Sequence, residues 1–118
     1  MGKRLLLVDD AAFMRMKLKQ VLTELGHEVI GEASNGAEGV AQYQKLKPDA
    51  VTMDITMPDM DGLTALKKIR ELDPHAIVIM VSAMGQQSYV LDAVKSGAKD
   101  FIVKPFEPER VKKVMDSL

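Results

Sequence analysis

The run Ala76-Ile77-Val78-Ile79-Met80-Val81-Ser82 is the most apolar in the chain and limits the fold more than any other feature. It lacks the polar alternation of a strand with one wet face, so it predicts a central strand covered on both sides, as parallel sheets require. Lys3-Arg4-Leu5-Leu6-Leu7-Val8 has the same character. Further strands are predicted at Glu28-Val29-Ile30 continuing towards Ala33, at Ala50 to Asp54, and at Asp100 to Lys104.

Between these runs the period becomes helical. Met14, Leu18, Val21, Leu22 and Leu25 mark one helix face, with Gly26 as its stop. A second helix, Ala37 to Leu46, follows the break at Ser34-Asn35-Gly36 and is closed by Pro48. Leu63, Leu66, Ile69 and Leu72 give a third its sheet-facing side, ended by Asp73-Pro74. Val90, Ala93 and Val94 do the same for a fourth that stops at Gly97, and Val111, Val114, Met115 and Leu118 for a fifth. Strands alternating with helices imply right-handed crossovers and a doubly wound α/β sandwich.

The 118 residues, 47% of them hydrophobic, suffice for one core, so a single domain over 1–118 is expected. Lysine and arginine total 16 against 17 acids, scattered over several helices, which argues against a nucleic-acid surface. The densest basic run, Lys67-Lys68-Ile69-Arg70, is followed by Glu71 and Asp73 and reads as a solvated helix face. No stretch approaches the roughly 20 apolar residues of a membrane span, so a cytoplasmic location is expected. Cysteine is absent, which excludes thiolate chemistry, and His27 and His75 read as surface residues.

Polar residues mark the ends of four predicted strands: Asp9-Asp10, Asp54, Ser82 and Lys104. In open α/β sheets, sites form in the crevice beyond the carboxyl ends of the strands. Three carboxylates in one cleft raise one another's pKa, and a divalent cation resolves the conflict. Hard oxygen ligands from Asp9, Asp10 and Asp54, with the Thr56 carbonyl, point to magnesium. The competing reading is that Asp9-Asp10 only caps the first helix. Lys104 precedes Pro105, where a cis bond can turn the chain sharply. A cation, a lysine and a small hydroxyl suit phosphoryl transfer: Asp54 is the candidate nucleophile, with magnesium, Lys104 and Ser82 each facing one phosphoryl oxygen.

In this order and placement, Asp9-Asp10, Asp54, Ser82 and Lys104-Pro105 resemble the receiver domain of two-component response regulators across essentially the whole chain. Within the family, Asp54-Ile55-Thr56-Met57-Pro58, Ser82-Ala83-Met84-Gly85-Gln86-Gln87 and Ala98 to Phe106 are most similar to the chemotaxis members. The resemblance implies a flavodoxin-like sheet of order 2-1-3-4-5 and phosphorylation of Asp54 by a histidine kinase. It also implies Phe101 as the switch aromatic, the flagellar motor switch as target, a phosphatase as further partner, and a monomer. Phe101 lacks the hydroxyl common at its place, Ser82 stands where threonine is common, and Met84 where a polar residue often stands. Phe13, Met57, Met60 and Met84 are expected to rim the site, the alternative being that they simply fill the loop's packing. Two rival readings are a phosphorelay intermediate and an aspartate-nucleophile phosphohydrolase. The latter typically carries an acid where Thr56 stands. A flavin or nucleotide carrier is disfavoured by Asp9-Asp10 and by the lack of a glycine-rich phosphate loop.

Overall fold

The computed structural model describes residues 2–57, 59–83 and 85–118. In chain order the elements are β1 (Arg4–Val8), α1 (Ala12–Glu24), β2 (Glu28–Ala33), α2 (Gly36–Leu46), β3 (Ala50–Asp54), α3 (Gly62–Leu72), β4 (Val78–Ser82), α4 (Gln87–Lys95), β5 (Asp100–Val103) and α5 (Pro108–Asp116). The strands form one parallel sheet of order β2-β1-β3-β4-β5, as the resemblance implies. Every residue of β3 and β4 is buried, which is why these segments carry no polar alternation.

Two cores flank the sheet, because successive side chains of a strand point to opposite faces. Leu6 and Val8 of β1 join Tyr43 of α2, Leu66 and Ile69 of α3, and Ala93 of α4. Leu5 and Leu7 join Leu18 and Leu22 of α1 and Val111, Val114 and Met115 of α5. Two helix starts follow capping chemistry: Asn35 accepts from the Glu38 N–H and Asp61 from the Thr64 N–H, both at 2.8 Å. The first helix stops as expected, Gly26 taking a positive φ of 92° directly after the Leu25 cap.

Some inward assignments do not hold. Leu72, at the last position of α3, is 53% exposed and lies on an open cleft beside Tyr43 and Pro48. Val94 is half exposed, because it sits about 100° around the helix from buried Ala93. His27 is half-buried, its Nδ1 accepting the Lys3 N–H at 2.9 Å, whereas His75 is exposed. Helix α2 is anchored by Tyr43, whose hydroxyl donates to Asp73 Oδ2 at 2.6 Å. Burial, followed by that bond, raises the Tyr43 phenol well above its ordinary value.

Candidate functional site

Asp54 ends β3 inside the protein, with only 6% of its surface exposed. Its Oδ1 accepts the Ile55 N–H at 3.0 Å, which fixes the carboxylate against the turn that follows. That turn returns to its origin at Gly62, whose N–H donates to the Ile55 carbonyl at 2.7 Å. A Cβ at Gly62 would lie 1.9 Å from the Asp54 carbonyl oxygen, so only glycine lets α3 start this close to the strand end.

Asp9 is buried at the end of β1, beside β3 in the sheet. Its Oδ1 accepts the Ala11 N–H at 2.8 Å in a local turn, while α1 is capped at Ala11 without a side-chain bond. Asp9 and Asp10 therefore do not serve merely as a helix cap. Carboxylate oxygens of Asp9, Asp10 and Asp54 all lie within 4.8 Å of one another. Lys104 Nζ reaches Asp9 Oδ2 at 2.9 Å and Asp54 Oδ1 at 3.4 Å. The peptide that follows, Lys104–Pro105, is cis.

The electrostatics follow from this crowding. Burial and the neighbouring Asp9 charge push Asp54 up to about 6, with Lys104 pulling the other way. Burial pulls the Lys104 ammonium down, and its bonds to Asp9 and the nearby Asp54 charge more than offset that, leaving its pKa above the usual value. One ammonium faces three acids, so the cleft keeps an excess of negative charge. That excess and the all-oxygen donor set fit a hard divalent cation.

Ser82 ends β4 one residue beyond Val81, which pairs with Asp54. It is buried, and with Phe101 it lines a largely apolar cleft of about 470 Å³ that Gln86, Val90 and Leu91 also border. The structure thus joins the acidic cluster to Phe101 through adjacent strands. Thr56 lies two residues after Asp54, and its hydroxyl accepts from Gln86 Nε2 at 2.8 Å. Gln86 Oε1 in turn accepts the Ala83 N–H at 2.7 Å, so this one amide spans the loops after β3 and β4.

Not every expected rim residue is at the rim. Met57 is buried in the core, and Met60 packs against that core while its carbonyl accepts the Gly36 N–H at 3.1 Å. Both fill the base of the loop, where an apolar side chain loses less by burial than a polar one. Phe13 is exposed near the start of α1, with the Lys17 ammonium 5.4 Å from its ring centroid. Met84 and Pro58 lie outside the described residues.

Three supporting residues make contacts that the sequence does not announce. Besides Gln86, these are Arg15 and Arg110. Arg15 of α1 donates to the Asp9 carbonyl and pairs through Nε with Glu32 of β2 at 3.1 Å, tying the β1–α1 loop to the neighbouring strand. Arg110 of α5 donates from Nη2 to Asp100 Oδ1 at 3.1 Å and to the Phe101 carbonyl at 2.9 Å. Its guanidinium carbon lies 5.7 Å from the Phe101 ring centroid. Isolated arginines in amphipathic helices read as solvent-facing; only their i+17 and i−9 partners, brought close by the fold, reveal these contacts.

Comparison with known proteins agrees with the geometry. The sequence profile described as the response regulator receiver domain matches residues 5–116. The chemotaxis protein CheY of Thermotoga maritima is 60% identical over all of this chain and 98% of its own length. That of Bacillus subtilis is 61% identical over 94% of this chain and 92% of its own. Among solved structures, the CheX–CheY–BeF3–Mg complex from Borrelia burgdorferi matches with a TM-score of 0.92 and 43% identity, covering 97% of this chain and 87% of that one. The response regulator domain of T. maritima CheB matches at 0.87 and 39%, covering 98% and 96%. A buried aspartate at the end of β3, two further acids at β1, a lysine bridging them and these matches over nearly the full length lead to one conclusion: the chain belongs to the response regulator receiver family, and within it to the CheY-like chemotaxis regulators.

Proposed function

We propose that this protein is a phosphorylation switch of bacterial chemotaxis in which Asp54 accepts the phosphoryl group from a chemotaxis histidine kinase. The observation that carries this reading is the Asp54 carboxylate, buried in a cleft with an ammonium 3.4 Å from its Oδ1. An Asp54 oxygen forms the new P–O bond while the P–N bond of the donor phosphohistidine breaks, its electron pair returning to the imidazole. Lys104 then faces the phosphoryl oxygens, and the Ser82 hydroxyl donates to another. Asp9, Asp10 and Asp54, with the Thr56 carbonyl, would hold magnesium. When bound, that ion neutralises the acids and the phosphoryl oxygens.

Drawing Ser82 towards the phosphoryl group opens the cleft it shares with Phe101, and the ring moves into the vacated space. The face formed by α4, β5 and α5 thereby changes its affinity for the flagellar motor switch, and a phosphatase resets the cycle. Exposed Tyr89, Leu91, Val94 and Val103 on that face support a protein partner. The protein acts on itself instead of turning over a separate substrate, as a monomer in the cytoplasm.

Intact-mass measurement after acetyl phosphate treatment tests the reading. One phosphoryl group should be gained with magnesium present, and none by Asp54→Asn. Full labelling of Asp54→Asn, or labelling in EDTA, would overturn it.

A further inference from the structure

The switch aromatic in this chain is a phenylalanine, so no ring hydroxyl can select between its positions by hydrogen bonding. Something else has to set the ring's resting place. The ring forms a wall of the cleft beneath it without filling it. That cleft, about 470 Å³, exceeds the roughly 150 Å³ that suffices for an aromatic ring. The groove that the half-buried ring shares with buried Ser82 therefore has room for a second ring position, and its largely apolar lining would give the ring apolar contact there.

We propose that Arg110 is a positioning residue for Phe101, its guanidinium holding the ring at the wall of the cleft until phosphorylation draws the ring inward. This rests on the reading of Phe101 as the switch aromatic. The guanidinium carbon lies 5.7 Å from the ring centroid, within the range of a cation–π contact. The cation is itself held in place: Nη2 donates to Asp100 Oδ1 and to the Phe101 carbonyl, and the same Asp100 oxygen accepts the Phe101 N–H at 2.8 Å. These anchors are on the backbone and the preceding side chain, not on the ring. When the ring turns, they persist and only the ring contact is lost. The holding force is therefore weak, as a reversible switch needs, and amounts to about a two- to fivefold bias in the ring's equilibrium. Because Arg110 belongs to α5 and Phe101 to β5, the contact also reports the ring's position to the helix beside the partner face.

The chain has only three phenylalanines, so 4-fluorophenylalanine gives a three-line fluorine spectrum that single Phe→Leu changes assign. Spectra of the full chain are recorded in EDTA and again with magnesium and beryllofluoride. In the parent the Phe101 line should move on adding beryllofluoride. In Arg110→Met in EDTA it should already stand displaced towards that second position, by about a two- to fivefold change in the ratio of the two ring states. Arg110→Lys, which keeps a cation without the fork, should fall between. Asp100→Asn, which weakens the anchor, should show a smaller displacement of the same sign. The Phe13 line, whose cation partner is Lys17, should not move in any Arg110 variant. A parent line that moves with beryllofluoride while Arg110→Met coincides with the parent in EDTA would overturn the role of Arg110. A parent line indifferent to beryllofluoride, in protein that acetyl phosphate labels at Asp54, would instead overturn the switch role of Phe101 and the proposal with it.

Discussion

Replacing Asp54 by asparagine should make the metal-free protein more stable, and the gain should depend on pH. The folded state holds this carboxyl at about 6 against an ordinary 3.8. Between those values the folded protein retains a proton that the unfolded chain has released, so stability falls as pH rises through this window and stays reduced above it. Undiscounted, the shift corresponds to roughly 3 kcal/mol at 1.36 kcal/mol per pKa unit. Water at the mouth of the cleft and adjustment of Lys104 screen part of that, so the expected gain at pH 7.5 is on the order of 1–2 kcal/mol. Asparagine keeps an acceptor for the Ile55 N–H, and Lys104 keeps Asp9 at 2.9 Å, so little else is lost. Alanine should give the same sign with a smaller gain, because it abandons that acceptor. Urea titrations in EDTA at pH 4 and pH 7.5 measure the effect: parent and variant should nearly coincide at pH 4 and separate at pH 7.5. Millimolar magnesium should then stabilise the parent more than the variant, since a ligand specific to the native state acts by mass action. An Asp54→Asn protein less stable than its parent at pH 7.5 in EDTA would refute the picture of confined like charge.

Three further outcomes follow from the same structure. Lys104→Met leaves Asp9 and Asp54 without their shared cation, so stability at pH 7.5 in EDTA should fall by roughly 2 kcal/mol, less than for a fully buried pair; the Asp54 carboxyl, followed by carbon NMR, should titrate above the parent value. Gly62→Ala puts a methyl 1.9 Å from the Asp54 carbonyl, so the loop must shift and acetyl phosphate labelling should slow by about a hundredfold, measured as the initial rate of mass gain. Tyr43 holds its proton above the ordinary 10.0, so stability should fall as pH rises beyond that value; Tyr43→Phe should flatten this alkaline slope in thermal scans, and an unchanged slope would count against the Asp73 bond.

The strand ends were legible because a parallel sheet puts all its carboxyl termini on one edge. Four apolar runs closing on Asp9-Asp10, Asp54, Ser82 and Lys104 put these residues on one edge, where the three acids and Lys104 do meet. The strand order was not readable from the residues and came from the resemblance. Periodicity misjudged Leu72 and Val94 because an apolar residue at the margin of a helical stripe is buried only where a neighbour covers it. For Met57 and Met60 the sequence leaves rim and packing as alternatives, because nothing local tells a loop's packed base from its exposed rim; the structure selects packing. Gln86, Arg15 and Arg110 act through partners 30, 17 and 10 residues distant, and long flexible side chains carry no periodic mark of such contacts.

The pairing of Arg110 with Asp100 also bears on how this sheet ends. The Lys104 N–H donates to the Ser82 carbonyl across the β4–β5 ladder. Backbone groups alternate in direction along a strand, so those of Phe101 face away from β4, towards the open margin of the sheet. There the Asp100 carboxylate takes the N–H and the Arg110 guanidinium takes the carbonyl. A foreign strand seeking to lengthen the sheet would find both groups engaged and an ion pair in its way, on a β5 only four residues long. Natural sheets avoid aggregation through short margins and charge placed where another chain would pair. The two residues that frame Phe101 thus also occupy the backbone groups through which a further strand would pair with β5 at this point.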